Sequence, residues 1–555
     1  MAALHLPAEG LDLSWLAGLL LQVVEIITEL PPGTLSPTKT IREVAHDWLD
    51  IDLSVEEDCL HLAVSTPQLP DSKKPLLPVM FYIHGGGFAT GFQIKMGPER
   101  LMAWGDVVLV AINYRLAALG FLCLDTDEAA GNMGMLDMVT ALEWVHANIA
   151  SFGGDPNKIT IFGESAGSAT IGHLMLSQET QGLFARGIGS SGSPLAPWAF
   201  DHAPEHHARG IALRAGCLNA ATSTPDELVS CLRQKTALEV SQASVAYQNE
   251  ARLHGNLGFG GSSPCAQTKG KRKFYTFDQT PHSVLFSGKY EPLPIFYGAN
   301  KREGSYVYTV IYNEFLVPNN LDQDLEFLKN GMIPQLLETS EISNYYGFKE
   351  LVANSYFRDG QIGNLKEMTP GLIDFFSVFF IKAAAYEFVQ INSKHAPSYW
   401  YAFDYDNSNK SLFHLQYMNP GSKANQSHPG TSHGDESIYL FDIELPLVFC
   451  DLSAIAMDAT VCLEDPLSAL LCLTSPIGQF RLKWQDCLTG ELNAEEEGVS
   501  AIINQLWTNF ATTGEPGLGL PAWSQEQPAY IKIEADFEIR EDYTKEYHVA
   551  LDESK

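Results

Sequence analysis

An α/β fold, with a large and mostly parallel central sheet covered by helices on both faces, is predicted by three features. Short apolar runs alternate with helical patterns from Pro78 onward. Two of those runs end in glycine-rich turns, and one passes through Gly163-Glu164-Ser165-Ala166-Gly167 straight into a helical pattern. Strands that alternate with helices can pair in parallel, because each crossover needs about a dozen residues or more to return the chain to the same end of the sheet.

Taken in order, residues 1–50 form an atypical N-terminal segment, broken at Pro31-Pro32-Gly33 and showing little strand alternation. Trp15 to Leu30 is apolar but carries Gln22, Glu25 and Glu29, with no Lys or Arg before it. It lacks the basic start and uninterrupted apolar run of an export signal and is too charged to cross a bilayer. Val79–Ile83 reads as a buried strand ending in His84-Gly85-Gly86-Gly87, and Val107–Asn113 as a second strand. Leu136–Val145 has helical spacing. Lys158–Phe162 is the strand before the Gly-x-Ser-x-Gly turn, with a helix to about Ser177 and a strand over Arg186–Ser191.

Beyond residue 200 helical patterns dominate, with short strands at Leu293–Tyr297 and Tyr399–Phe403. Gly371–Gln390 contains Asp374, Lys382 and Glu387 and reads as a buried amphipathic helix, not a membrane span. Asn407–Ser432 is a polar loop holding two glycosylation triplets, at Asn409 and Asn425, which matter only if the chain is exported. There is no internal repeat, so residues 51–545 are expected to form one unit.

The chemistry centres on Ser165. A serine on a tight strand-to-helix turn sits in strained backbone, with its hydroxyl lifted clear of the sheet and a helix N-terminus behind it. Glycines at 163 and 167 let neighbouring backbone crowd in. This turn resembles the nucleophile elbow of α/β-hydrolases, whose order along the chain is serine, acid, histidine. The acid candidate is Glu303, just past a strand, and the base candidate is His433, after a strand and a loop. A serine hydroxyl needs a base to take its proton, and the base needs an orienting carboxylate. Gly86 and Gly87 follow a strand, and their N–H groups together with that of Ala166 make a candidate oxyanion hole. No Gly-Lys-Ser/Thr follows the glycine run, which disfavours a phosphate loop.

The totals bound the rest. The chain has 555 residues, 45% of them apolar, a formal charge of -32 and a pI near 4.8. Such acidity argues against nucleic acid or an anionic membrane as partner. The nine cysteines include no Cys-x-x-Cys pair, so neither a zinc ribbon nor a thioredoxin-like site is expected. No metal or organic cofactor is implied.

Together these segments resemble the type-B carboxylesterase and cholinesterase-like family, with an insect or arthropod cast. Glu57-Asp58-Cys59-Leu60 resembles one family signature, and Phe152-Gly153-Gly154-Asp155-Pro156 through Gly167 resembles the active-site serine signature. Asn132–Asp137 and Leu506–Ala511 also fit, so that the likeness runs from about residue 55 to 530. The resemblance implies a single carboxylesterase-type catalytic domain over 51–545, with Ser165 as nucleophile, Glu303 as acid and His433 as base. It implies Gly86, Gly87 and Ala166 as the oxyanion hole and Ser191 as a hydrogen-bonding support. Trp198 is implied as an acyl-pocket aromatic, and Glu164 as an acidic group near the substrate.

The resemblance also implies a Cys217–Cys231 disulfide closing a small loop, worth roughly 3 kcal/mol in the chain-entropy model. That pair, with the family, favours a secreted location. Three departures stand out. Cys59 has no upstream cysteine to pair with, and the loop carrying the choline-site tryptophan has no counterpart. The stretch from Glu444 to Gly498 is long and holds Cys450, Cys462, Cys472 and Cys487 without an assignable pairing. The expectation is a serine esterase acting on small ester substrates, with a non-catalytic adhesion protein of the neuroligin or glutactin kind as the alternative.

Overall fold

The computed structural model describes residues 58–547 except 68–73, 92, 94–95, 218, 258, 276–278, 340–347, 359, 407–430 and 444–491. The N-terminal segment, the two glycosylation triplets and Cys450, Cys462, Cys472 and Cys487 therefore lie outside the described residues. Numbered along the chain, the strands are β1 (Leu62–Ser65), β2 (Leu77–Ile83), β3 (Met96–Gly97), β4 (Val108–Ile112), β5 (Gly154–Glu164), β6 (Arg186–Ser190), β7 (Ile295–Asn300), β8 (Ser398–Phe403), β9 (Asp442–Ile443), β10 (Tyr530–Ile533) and β11 (Phe537–Arg540). Chain contacts divide the molecule into two compact units. The first draws its described residues from Met1–Ile94, Val107–Arg252 and Gly258–Pro294, the second from Lys95–Asp106, Leu253–Leu257 and Ile295–Lys555.

In the first unit the strands lie in the order β1-β4-β2-β5-β6. β1 is antiparallel to β4, while β2, β4, β5 and β6 run parallel. All seven residues of β2 and all five of β4 are buried, as a strand covered on both faces requires. β5 runs eleven residues, starting at Gly154 and so earlier than the apolar run from Ile159 suggests, because Gly154 already pairs with Leu77. Helices α1 (Met133–Asn148) and α2 (Ala166–Leu176) flank it in sequence, α2 with every residue buried. Further on, the expected Cys217–Cys231 disulfide is formed, tying the loop after α3 (Pro204–Arg214) to Cys231 within α4 (Pro225–Leu232). A Thr224–Glu227 capping box starts α4, satisfying donors that a helix start leaves open.

In the second unit the order is β7-β8-β10-β11, parallel except for the β10–β11 hairpin, and β3 pairs with β9 in a separate antiparallel ribbon. β7 continues to Asn300, three residues beyond the strand end read from the sequence, and α5 (Gly304–Ile311) begins shortly after it. α6 (Leu365–Ser377) and α7 (Ala383–Asn392) are joined by one wide helical turn over Val378–Lys382. This is the buried helical stretch expected over Gly371–Gln390. The core is aromatic: Trp507 of α8 (Ala494–Thr513) lies 5.1 Å from the Phe296 ring and 5.0 Å from that of Tyr401. No helix among the described residues is long and apolar enough to cross a membrane.

Candidate active site

In the first unit Ser165 stands between β5 and α2 with φ 58° and ψ -121°. Few non-glycine residues adopt such a backbone, and strain of this kind persists only where surroundings enforce it. The enforcement is visible. Ser165 N–H donates to the Ser190 carbonyl at 2.8 Å, tying the turn to β6. A Cβ on Gly163 would stand 2.4 Å from the Ile83 carbonyl oxygen, and one on Gly167 would stand 2.0 Å from the same atom. Gly192 likewise lies against the Ser165 carbonyl, where a Cβ would approach to 2.1 Å. Gly167→Ala is therefore expected to lower the yield and the thermal midpoint of folded protein, by at least the about 1–3 kcal/mol typical of overpacking. A melting curve matching the unsubstituted protein would contradict this close-approach account.

The loop after β2 passes beside this turn. A Cβ on Gly85 would meet the Ser165 Cβ at 2.9 Å and the Glu164 Oε2 at 2.7 Å, which puts the Glu164 carboxylate under the glycine run. Gly86 has φ +105° and Gly87 φ +61°, and the Gly86 carbonyl accepts from the N–H groups of Ala89 and Thr90 at 3.1 and 3.0 Å. Ala166 is the first residue of α2. Donors on a loop bent in this way suit a localised negative oxygen.

Ser191 is fully buried with φ 59°, directly after β6. Trp198 is half-buried, its ring 6.3 Å from Phe88 and 6.0 Å from Phe259. Phe259 also covers Gly87, whose Cβ would stand 2.7 Å from the Phe259 ring. Nothing in the local pattern around residue 259 marks it, since its role is set by a loop returning from far along the chain.

Two buried histidines support this side. His84 is 3% exposed, its Nδ1 2.9 Å from the Gly85 carbonyl and its ring stacked on Tyr114 at 4.3 Å. His173 on α2 is wholly buried between the Tyr275 hydroxyl at 2.9 Å and the Ala199 carbonyl at 2.8 Å. Burial lowers the pKa of each to about 4, against the smaller upward pull of its backbone carbonyl.

In the second unit Glu303 and His433, 130 residues apart, are brought together. His433 Nδ1 lies 2.6 Å from Glu303 Oε2, with Glu303 fully buried and His433 only 4% exposed. The other carboxylate oxygen accepts from the Asn300 N–H at 2.6 Å. The Asn300 amide donates to the Ser432 carbonyl at 2.7 Å and to Glu436 Oε2 at 2.5 Å, so the end of β7 fixes both the acid and the segment before His433. Ser432 N–H in turn donates to Asp435 Oδ2 at 2.7 Å. The Tyr306 ring lies nearly parallel to the imidazole, centroids 5.7 Å apart. Such a carboxylate holds the imidazole in one tautomer, leaving the opposite ring nitrogen to exchange a proton.

Lys382 lies in the wide turn between α6 and α7 and donates to the Lys301 carbonyl, under the turn that carries Glu303. Its Nζ is 4.9 Å from the Tyr547 ring centroid. Burial lowers its pKa to about 8, although Glu303, Asp374 and Asp404 favour the charged form. Sequence reasoning missed Asn300, Tyr306, Lys382 and Glu436. Asn300 and Glu436 each lie three residues from a candidate, Glu303 and His433 respectively, which is the local signal that could have marked them.

A family model described as "Carboxylesterase family" matches residues 28–449. The chain is similar to a carboxylic ester hydrolase of Bombus ignitus, 34% identical over 431 residues, which are 76% of this chain and 72% of that protein. It is 30% identical over 505 residues to liver carboxylesterase 1F of Rattus norvegicus, covering 87% of this chain and 75% of that protein. An acetylcholinesterase of Leptinotarsa decemlineata is 26% identical over 514 residues, 87% of this chain and 70% of that protein. The relatives thus span insects and vertebrates.

Proposed function

Since the chain belongs to the carboxylesterase family, we propose that it is a serine hydrolase that cleaves carboxylic esters through an acyl-enzyme. Membership and the relatives' names support ester hydrolysis in general. The finer reading assigns Ser165 as nucleophile, His433 as base and Glu303 as the orienting acid. The observation that carries it is the 2.6 Å bond between the buried Glu303 and His433, residues that nothing local in the sequence connects.

In this reading His433 Nε2 takes the Ser165 proton as Oγ attacks the ester carbonyl carbon, and the Glu303 carboxylate stabilises the imidazolium formed. The carbonyl oxygen becomes an oxyanion held by the N–H groups of Gly86, Gly87 and Ala166. Collapse of that intermediate breaks the bond to the alcohol oxygen, which receives the proton from His433. Water then attacks the acyl-enzyme, His433 taking its proton and returning it to Ser165 Oγ, and the acid leaves. Ser191 supports the turn, Glu164 lies beside the nucleophile, and Trp198 with Phe259 and Phe88 forms the aromatic wall proposed to face the acyl group.

An organophosphate probe tests the assignment against an adhesion role. Stoichiometric loss of ester hydrolysis, with one adduct mapped to Ser165 by peptide mass spectrometry, is the expected result. Folded protein that hydrolyses no ester and takes up no label would move the reading to a binding protein.

A further inference from the structure

Outside the residues assigned to ester hydrolysis, the first unit buries two thiols against one another. Cys123 is 3% exposed and Cys265 is fully buried. Both surround Gly131: the position of a Cβ there would lie 2.7 Å from the Cys265 sulfur and 3.0 Å from the Cys123 sulfur. A side chain at residue 131 would crowd both sulfurs, so the glycine leaves room for them.

The backbone on each side is held. Cys123 bridges Ala130 as a short antiparallel pair, and its Sγ donates to the Ala130 carbonyl at 3.3 Å. Asn132 clamps Cys265 from both sides, its amide donating to the Cys265 carbonyl at 2.7 Å and its Oδ1 accepting from the Cys265 N–H at 2.8 Å. Cys265 also bridges Asp201.

The two thiols are not equivalent. A cavity of about 420 Å³ is lined by Cys123, with Asp125, Asp201, Glu205, His206 and Thr268 among its walls, whereas Cys265 does not line it. The hydrogen bond from Cys265 holds the Cys123 thiol below the usual range. The same bond, with burial, pushes Cys265 well above it. Thiolate character follows such a donor, and the thiolate is the reactive form.

We propose that Cys123 and Cys265 are a thiol modification site, at which Cys123 accepts a small disulfide through the cavity and Cys265 resolves the product to a Cys123–Cys265 disulfide. The Cys123 thiolate attacks one sulfur of the small disulfide, and the S–S bond breaks to release one thiolate and leave a mixed disulfide on Cys123. Cys265 loses its proton to solvent and attacks the Cys123 sulfur, expelling the second thiolate. The two cysteines lose two electrons and two protons, and the small disulfide is reduced to two thiols. Glu205 is paired with Arg209 and Asp201 with the His207 ring, so Asp125 and Asp201 leave the walls net acidic while the histidines are neutral, which favours a cationic disulfide over an anionic one. The cross-link joins the segment after β4 to the segment carrying Phe259, in which Ser263 donates to the Trp198 carbonyl at 2.7 Å.

The test treats full-length protein with cystamine or with oxidised glutathione, blocks remaining thiols with an alkylating agent, and maps peptides by mass without reduction. The expected product is one linked peptide pair, Cys123 to Cys265, formed faster with cystamine, the rate difference shrinking as salt is added. Cys265→Ser should stop at a cysteamine adduct on Cys123, and Cys123→Ser should leave Cys265 unmodified while ester turnover stays within twofold. A pair already linked on purification also supports the proposal. Both thiols alkylated in folded, cystamine-treated protein would overturn it, as would direct thiolation of Cys265 in Cys123→Ser.

Discussion

Ser165→Ala is expected to lower kcat for a short-chain 4-nitrophenyl ester by about 10⁶-fold, with residual turnover about 10³–10⁴ above the water reaction. That loss corresponds to about 8 kcal/mol of barrier. It arises because alanine offers no oxygen to carry the acyl group, leaving only binding and the proposed oxyanion-hole N–H groups of Gly86, Gly87 and Ala166 to favour attack by water. The substitution separates chemistry from folding. Serine and alanine meet similar steric cost at φ 58°, and the turn is held by the Ser165 N–H bond to Ser190, which alanine retains. The thermal midpoint should therefore stay near that of the unsubstituted protein. Steady-state kinetics on protein from a fresh column, with an organophosphate titration to count contaminating sites, is the measurement. Turnover within tenfold of the unsubstituted enzyme would remove Ser165 as nucleophile.

The parts legible in the sequence share one property: their determinants are local. β2 and β4 are apolar runs long enough to cross a sheet, and the elbow needs two glycines at fixed offsets because the Ile83 carbonyl leaves no room for a Cβ at 163 or 167. Glu303 and His433 stand out as candidates through strand ends and chain order, which the backbone topology imposes.

The partners of these residues are set by tertiary approach, which periodicity does not encode. Phe259 reaches Gly87 from a segment with no strand or helix pattern. Tyr306 faces His433 because α5 starts where β7 ends, and that depends on the strand running to Asn300 and not stopping at Tyr297. The Cys123–Cys265 contact is likewise invisible in cysteine spacing, since Asn132 and Gly131 create it. Lys382 read as one charge on an amphipathic helix. Its burial follows from the wide turn between α6 and α7, which a regular helical pattern does not announce.

Acid should unfold the first unit through His84 and His173. Each is lowered to about 4 by burial from an ordinary value of 6.5, so the native imidazoles stay neutral where the unfolded chain's are protonated. Between those values the unfolded state binds more protons, and stability rises with pH. The contribution is complete above pH 6.5 and is lost as pH falls towards 4, at about 3 kcal/mol for each histidine.

The loss falls on the unit that carries Ser165. His84 begins the glycine loop, and His173 lies on α2, its ring 6.5 Å from those of Phe88 and Phe200. Activity should then fall progressively with time at acid pH. Unfolding driven by His84 and His173 would be time-dependent and would move the urea midpoint. Urea titrations at pH 7.5, 5.5 and 4.5 measure the slope. His173→Gln, whose amide can still donate to the Ala199 carbonyl, should remove close to one proton from the uptake on unfolding and flatten the decline, even if its stability at pH 7.5 is lower. A slope unchanged by His173→Gln and by His84→Asn would show that the acid sensitivity resides in other groups.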